Sequence, residues 1–452
     1  MIITADRLFP VSSPPVDNGA LLIGKGVILD VGDGPSLRRT YPNVVVRDYP
    51  GCVILPGLVN AHTHLEYSDF HRLARPTSFL PWMRKLIRAS LLRRWFGGAL
   101  SWRRSAGEGI RASLAAGITS VGDIVTFGGG LAAAASAGIR TRAFLEAVAI
   151  RPEDAGKSVE RIRASLEKEC WNSLLHPGIS PHSVYTVAPG ALSALGELAS
   201  EFSLPLAVHA GETAHEIDLL RGRGPLAMQI DRFGLPFGRD FRQSLLSYLH
   251  SRGILTARSL LVHGAHLKEE DLELTARSGA TLVTCPRSNI LLGTGLPDYA
   301  LWKRCGISFV YGTDSLASVP GFDLFEEARQ VLGILPEEAR TVLRRLTLGG
   351  ARALGLDRQT GSLEAGKAAD LAILRMEDAG SCDADDIVGK GSARRISATW
   401  VGGDLLYSAD LTGRAPSPPM ASEKGLSLTG IALSTAVTRY PYSTPLSRSP
   451  SK

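Results

Sequence analysis

Cysteine is scarce in this chain. The five present, Cys52, Cys170, Cys285, Cys305 and Cys382, are odd in number, widely spaced and include no Cys-x-x-Cys pair. That argues against a disulfide framework or a zinc ribbon and suits a reducing cytosol. Long apolar runs are missing as well: none approaches the roughly 18 residues needed to cross a bilayer. The start, Met1-Ile2-Ile3-Thr4-Ala5-Asp6-Arg7, places an acid where a signal peptide needs a basic flank followed by an apolar stretch, so a cytoplasmic location is expected. Strong charge of one sign is also lacking. The net charge is +6 over 452 residues, and a nucleic-acid footprint would need its basic residues clustered on one face. No nucleic-acid or membrane partner is therefore expected. What the chain has is ordinary globular material: 44% hydrophobic and 21% charged residues supply ample core for one large domain with a smaller one appended.

The strand signals fall into two rhythms. Residues 1–50 hold short β-prone runs, Ala20-Leu21-Leu22-Ile23 and Val27-Ile28-Leu29-Asp30-Val31, on either side of Gly24-Lys25-Gly26, a hairpin signal. From residue 52, β-prone runs at 52–60, 118–124, 140–148, 178–183, 204–210, 259–264, 280–285 and 307–312 alternate with segments able to form helices, such as 153–169, 188–202, 268–278 and 322–333. Eight strand–helix repeats predict an α/β fold, a (β/α)₈ TIM barrel, whose active sites lie at the carboxyl ends of the strands. A helix-rich stretch, 336–355, follows, and β-prone runs return at 371–374 and 398–403. Gly361 to Lys367 nearly spells a phosphate loop, but Ala368 stands where a Ser or Thr should hold magnesium and no strand leads into it, so it reads as a turn. The expected organisation is 1–51 as an N-terminal β segment, 52–355 as the barrel, 356–411 as a C-terminal β segment and 412–452 as a Ser, Thr and Pro-rich tail without order.

Polar residues keep step with the strand ends. His62 and His64 follow the first run, His182 the fourth, His209 and Glu212 the fifth, His263 the sixth, Ser288 and Asn289 the seventh and Asp314 the eighth. On a strand, residues two apart point to the same side, so His62 and His64 can converge on one ion. Asp123 and Glu146 end the second and third runs; they either touch a substrate or cap the following helices, and capping is preferred. His71, His176, His215, His250 and His266 fit no such position and read as structural.

Together these stretches resemble one family. Pro56-Gly57-Leu58-Val59-Asn60-Ala61-His62-Thr63-His64, His209-Ala210-Gly211-Glu212, Val262-His263-Gly264-Ala265-His266-Leu267, Cys285-Pro286-Arg287-Ser288-Asn289 and Gly312-Thr313-Asp314-Ser315 resemble the amidohydrolase superfamily, in its branch of aminohydrolases and chlorohydrolases acting on nitrogen heterocycles. The resemblance implies a barrel flanked by a small composite β-sandwich from the N- and C-terminal segments. It implies one divalent metal ion held by His62, His64, His209 and Asp314, zinc or alternatively ferrous iron. Relatives with two metals carry a modified lysine at the fourth strand end; Gly178-Ile179-Ser180-Pro181-His182-Ser183 has none, so a mononuclear site is expected. In the implied chemistry Glu212 moves the water proton to a ring nitrogen, while His263 and Asp314 orient the attacking water.

Substrate expectations rest on finer likenesses. His62 to Ser68, with Glu66 among them, Phe79 to Ile87 and Gly117 to Ile124 resemble aminofutalosine deaminases, which remove the 6-amino group of an adenine nucleoside whose ribose carries a carboxyphenyl group. Pro181-His182-Ser183-Val184-Tyr185 resembles a substrate-contacting segment of S-adenosylhomocysteine deaminases, which assigns His182 to the ribose or its substituent. Between the first two barrel strands, residues 79–111 interleave Trp82, Trp95 and Trp102 with Arg84, Lys85, Arg88, Arg93, Arg94, Arg103 and Arg104. There Trp82 is expected to stack on an aromatic ring and Arg84 or Arg88 to clasp a carboxylate, and Ser288 and Asn289 complete the expected substrate contacts. The expectation is thus a deaminase of a small nucleoside in the futalosine route to menaquinone, with a homo-oligomeric state left open. Deamination of S-adenosylhomocysteine, adenosine or guanine, triazine dechlorination and a non-catalytic scaffold stay open as alternatives.

Overall fold

The computed structural model describes residues 1–169, 171–232 and 243–409; Cys170 and the tail expected at 412–452 lie outside them. Among the described residues sixteen strands run in order: β1 Ile2–Leu8, β2 Val16–Asp17, β3 Gly19–Gly24, β4 Val27–Asp33, β5 Val46–Pro56, β6 Leu58–Thr63, β7 Ile118–Val125, β8 Arg140–Ala147, β9 Leu175–Pro181, β10 Leu206–Ala210, β11 Ser259–His263, β12 Thr281–Thr284, β13 Phe309–Tyr311, β14 Leu371–Arg375, β15 Ile396–Val401 and β16 Asp404–Ser408.

Strands β6 to β13 form the eight-stranded parallel barrel. It closes between first and last: Thr63 bridges Asp314, and the amides of Thr313 and Asp314 both donate to the His62 carbonyl, at 3.1 and 3.2 Å. Asn60 adds a side-chain clasp on Thr313, donating Nδ2–H to Oγ1 at 2.7 Å and accepting the Thr313 amide at 3.0 Å. Inside lie Val59, Ala61, Phe144, Leu260, Val262 and Val310, with Leu354 and Leu356 packed against the same cluster. Continuous apolar runs such as Leu260-Leu261-Val262 are what a strand buried on both faces requires: one side fills the barrel and the other meets the helices.

The remaining strands build one eight-stranded sheet in the order β16-β15-β14-β5-β1-β3-β4, with β2 on β1. Chain segments from both ends contribute, as expected. Its two halves are a single sheet that curls until its margins touch. Ile3, Leu21, Ile28, Ile54, Ile373 and Trp400 share one buried cluster inside the curl, Val27 bridges Ala368, and a Cβ on Gly26 would sit 2.6 Å from the Gly402 carbonyl oxygen. The stretch 361–367 is a turn serving this sheet: Lys367 donates from Nζ to Ser362 Oγ at 2.6 Å, and the Gly366 amide bonds the Ile28 carbonyl at 2.8 Å.

The expected strand 52–60 is two strands. Residues up to Pro56 pair antiparallel with β14, and the barrel strand begins at Leu58. Gly57 lies between, its amide bonded to the Asp370 carbonyl at 2.9 Å, so close to β7 that a Cβ would fall 2.0 Å from Thr119 Oγ1. Apolar residues run on through the junction, which hides it from pattern reading. Gly57→Ala is expected to destabilise the fold by about 1–3 kcal/mol, the usual range for overpacking, read as a lower urea midpoint; an unchanged midpoint would contradict this placement.

Candidate active site

The carboxyl ends of the barrel strands carry the chemistry. His62 and His64 leave β6, His209 leaves β10, His263 ends β11 and Asp314 follows β13, all nine-tenths or more buried. One ring nitrogen from each of His62, His64 and His209 lies within 4.8 Å of the others. The Nε2 atoms of His64 and His209 face each other at 3.3 Å, and Asp314 Oδ1 lies 3.7 and 3.9 Å from the Nε2 atoms of His64 and His62.

These residues fit a divalent cation. Both ring nitrogens of His62 and Nδ1 of His64 are buried without a hydrogen-bond partner, an arrangement that costs free energy unless something else answers the lone pairs. Burial, reinforced by the neighbouring imidazoles, holds His62 and His209 well below the ordinary histidine range, so both rings are neutral, as ligation requires. His209 Nδ1–H donates to the His182 carbonyl at 2.9 Å, which leaves its Nε2 lone pair toward the centre. Three imidazoles and a carboxylate are a zinc-type donor set.

Strain marks the same place. His263 and Asp314 hold φ of 74° and 60°, in the left-handed region that non-glycine residues occupy at a cost of order 1–3 kcal/mol. Asp314 is held there by its own contacts: its carbonyl accepts Thr63 Oγ1 at 2.8 Å, and its Oδ2 accepts the hydroxyls of Ser288 and Ser318, each at 2.7 Å. His263 Nδ1 meets Asn289 Oδ1 at 2.9 Å; with that amide so oriented, Nδ1 carries the proton and Nε2 faces Glu212 Oε1 at 3.6 Å. Burial, with the Asp314 carboxylate adding to it, pushes the Glu212 carboxyl well above the ordinary range. That is the direction a general acid needs.

Ser288 and Asn289 were expected at the substrate. They are 0% and 1% exposed and hold Asp314 and His263 instead, because the helix Pro286–Leu291 turns both side chains back toward the barrel centre. Glu66 is also misplaced by the sequence reading: its carboxylate accepts the amides of Thr126, Phe127 and Gly130 at 2.8–3.1 Å, fixing the loop after β7. Asp123 accepts the Leu65 amide at 2.9 Å and caps no following helix. Glu146 caps none either; it faces the pocket. His266 is structural, its Nε2 on the Thr294 carbonyl at 2.6 Å.

A pocket opens from this centre and runs under the helix Phe79–Phe96. His64, His182, His209, Glu212, His263 and Asp314 line its deep end, and Phe127, Val148, Ile150 and Tyr185 its walls. The helix contributes Phe79, Trp82, Met83, Leu86, Ile87, Ser90, Leu91 and Arg94. Trp82 is thus at the pocket as expected, with its indole N–H on the Ala317 carbonyl at 2.8 Å. Arg84 and Arg88 are not: both are exposed on another face of the helix. Arg94, half-buried in the pocket wall, has no hydrogen bond or ion pair among the described residues. At about 1.5 Å of rise per residue, it lies roughly 18 Å along the helix from Trp82. Trp95 is exposed, and Trp102 stacks on Phe127 with ring centroids 4.0 Å apart.

Comparison with known proteins agrees with this geometry. The model of the Amidohydrolase family matches residues 53–406. The chain is 31% identical over 370 residues to the aminodeoxyfutalosine deaminase of Deinococcus radiodurans, covering 78% of this chain and 85% of the relative. It is 30% identical over 411 residues to the 5-methylthioadenosine/S-adenosylhomocysteine deaminase of Teredinibacter turnerae, covering 87% and 88%. Among solved structures, the Helicobacter pylori aminofutalosine deaminase in complex with methylthio-coformycin superposes with a TM-score of 0.77 at 22% identity, over 90% of this chain and all of that one.

Proposed function

The chain belongs to the amidohydrolase family, and on that premise we propose that it is a metal-dependent deaminase of an adenine nucleoside, with aminodeoxyfutalosine as substrate. One zinc ion held by His62, His64, His209 and Asp314 is proposed, with ferrous iron the alternative. When bound, the cation supplies Lewis acidity that makes water a competent nucleophile near neutral pH.

The rest is done by the chain's own side chains. In the proposed cycle Glu212 starts protonated, gives its proton to ring nitrogen N1 of the purine and takes one from the attacking water. His263, its Nδ1 proton committed to Asn289, offers Nε2 as an acceptor that holds the water against C6. As the C6–N bond breaks, Glu212 passes the second proton to the leaving amine and takes up the proton of the new C6 hydroxyl, so ammonia departs, the ring keeps a 6-oxo group and Glu212 ends protonated as it began. Trp82, Phe127 and the aliphatic wall exclude bulk water, which strengthens each of these contacts.

The observation that carries the substrate choice is Arg94. An unpaired arginine at the far end of an apolar slot suits an elongated substrate that ends in an anion, and a carboxyphenyl group supplies both the apolar length and the charge. S-adenosylhomocysteine also ends in a carboxylate but brings an ammonium with it. Among the described residues, the acids lining the pocket are Glu146, Glu212 and Asp314; Glu146 is on β8 and the other two follow β10 and β13, so none lies on the helix that carries Arg94. The four free cysteines described, Cys52, Cys285, Cys305 and Cys382, support a reducing, cytoplasmic setting, and no helix among the described residues is long and apolar enough to cross a membrane.

The test is ammonia release from aminodeoxyfutalosine, S-adenosylhomocysteine, 5-methylthioadenosine and adenosine, side by side. The highest kcat/KM is expected for the first. Arg94→Gln should lower it about 10–100-fold, the loss of a charge-assisted hydrogen bond, and leave 5-methylthioadenosine unaffected. A substrate ranking led by 5-methylthioadenosine would overturn the assignment.

A further inference from the structure

We propose that Glu146 receives the ribose hydroxyls of the nucleoside and so selects ribosides over deoxyribosides. The inference rests on the nucleoside-deaminase reading above and extends it to a residue that reading does not use.

Glu146 lies next to the carboxyl end of β8, is 3% exposed and lines the pocket. Its Oε2 accepts the Thr126 hydroxyl at 2.6 Å. Its Oε1 is buried and has no partner. Strand β8 is pinned at this point by Arg161, which donates to the Glu146 backbone carbonyl at 2.6 Å, so the side chain is presented from a fixed base. A buried carboxylate oxygen that accepts nothing is expensive to maintain. Here burial holds the carboxyl above its ordinary range, opposed by His64 and the Thr126 hydroxyl. A ligand that brings hydrogen-bond donors to Oε1 would relieve that cost.

The chemistry of the substrate narrows those donors. With the 6-amino group turned to the metal end, the purine offers only acceptors at N1, N3 and N7. A 5′-substituted riboside then has two donors left, the 2′- and 3′-hydroxyls. Glu146 lines the same pocket as His64, from the carboxyl end of β8, where a sugar attached to the bound purine would follow. A carboxylate oxygen has lone pairs for more than one donor, and Thr126 keeps the other oxygen oriented.

The experiment compares an adenine riboside with its 2′-deoxy and 3′-deoxy analogues on wild-type protein, Glu146→Gln and Glu146→Ala, with metal content checked for each. Wild type should favour the riboside over at least one analogue by about 10–100-fold in kcat/KM, the range for a hydrogen bond to a charged group. In Glu146→Ala that preference should collapse toward unity, with Glu146→Gln intermediate. A purely structural role for the Glu146–Thr126 contact would lower all rates together and leave the ratio unchanged. Wild-type indifference to both hydroxyls would overturn the proposal without any variant, and so would a full deoxy penalty persisting in Glu146→Ala or Glu146→Gln. Absence of ammonia release from every adenine nucleoside would instead sink the parent reading.

Discussion

Glu212→Gln is expected to lower kcat by about 10³-fold, within the range for loss of a positioned acid–base group, while the protein keeps its metal. The amide fills the same space at the end of the His209-Ala210-Gly211-Glu212 turn, and the Glu212 backbone amide keeps its bond to Glu216 Oε2 at 3.1 Å. What the variant cannot do is shuttle protons between water, N1 and the leaving amine. Metal analysis alongside steady-state kinetics separates the two properties. A variant with near wild-type turnover would remove Glu212 from the mechanism, and one without metal would recast it as part of the metal site's support.

His209→Ala should abolish metal binding and turnover together. His209 faces His64 Nε2 at 3.3 Å and is oriented by the His182 carbonyl, so its loss opens the donor set at its centre. The metal-to-protein ratio should fall from near one to near zero. Because a ligand bound only by the native state stabilises by roughly 4 kcal/mol at a thousandfold excess over its Kd, the thermal midpoint should fall with it and cease to respond to added zinc. By contrast, Ser288→Ala and Ser318→Ala touch only the groups that orient Asp314, and each should weaken metal affinity about 10–100-fold. Full metal retention in His209→Ala would show that the cation lies elsewhere.

The barrel was readable because buried parallel strands are short continuous apolar runs separated by helices, and the functional side chains cluster at or just beyond the carboxyl ends of those strands. That regularity is why His62, His64, His182, His209, Glu212, His263 and Asp314 could be grouped from the sequence; the structure brings all but His62 to the lining of the pocket and sets His62 against His64 and His209. The orientation of a side chain beyond its strand end was not readable. Glu66 and Ser288 sit at the right height of the barrel, yet one turns to the backbone amides of 126–130 and the other to Asp314.

Arg94 could have been found. Trp82, Leu86, Ser90 and Arg94 recur every four residues and all line the pocket, whereas Arg84 and Arg88 are two and six positions from Trp82 and fall on another face. Helical period, not closeness in sequence to Trp82, decides which arginine reaches the pocket. Glu146 carried a signal too, as an acid at the third strand end, but capping and pocket-lining share that position. Only its burial and its unpartnered oxygen separate them.

The most direct measurement is the mass of the product formed when zinc-loaded protein acts on aminodeoxyfutalosine in ¹⁸O-enriched water. One ammonia released per product, and one solvent oxygen appearing at C6 of the purine, is the result this account predicts. Recovery of unchanged nucleoside, or of a product without solvent oxygen at C6, would contradict it.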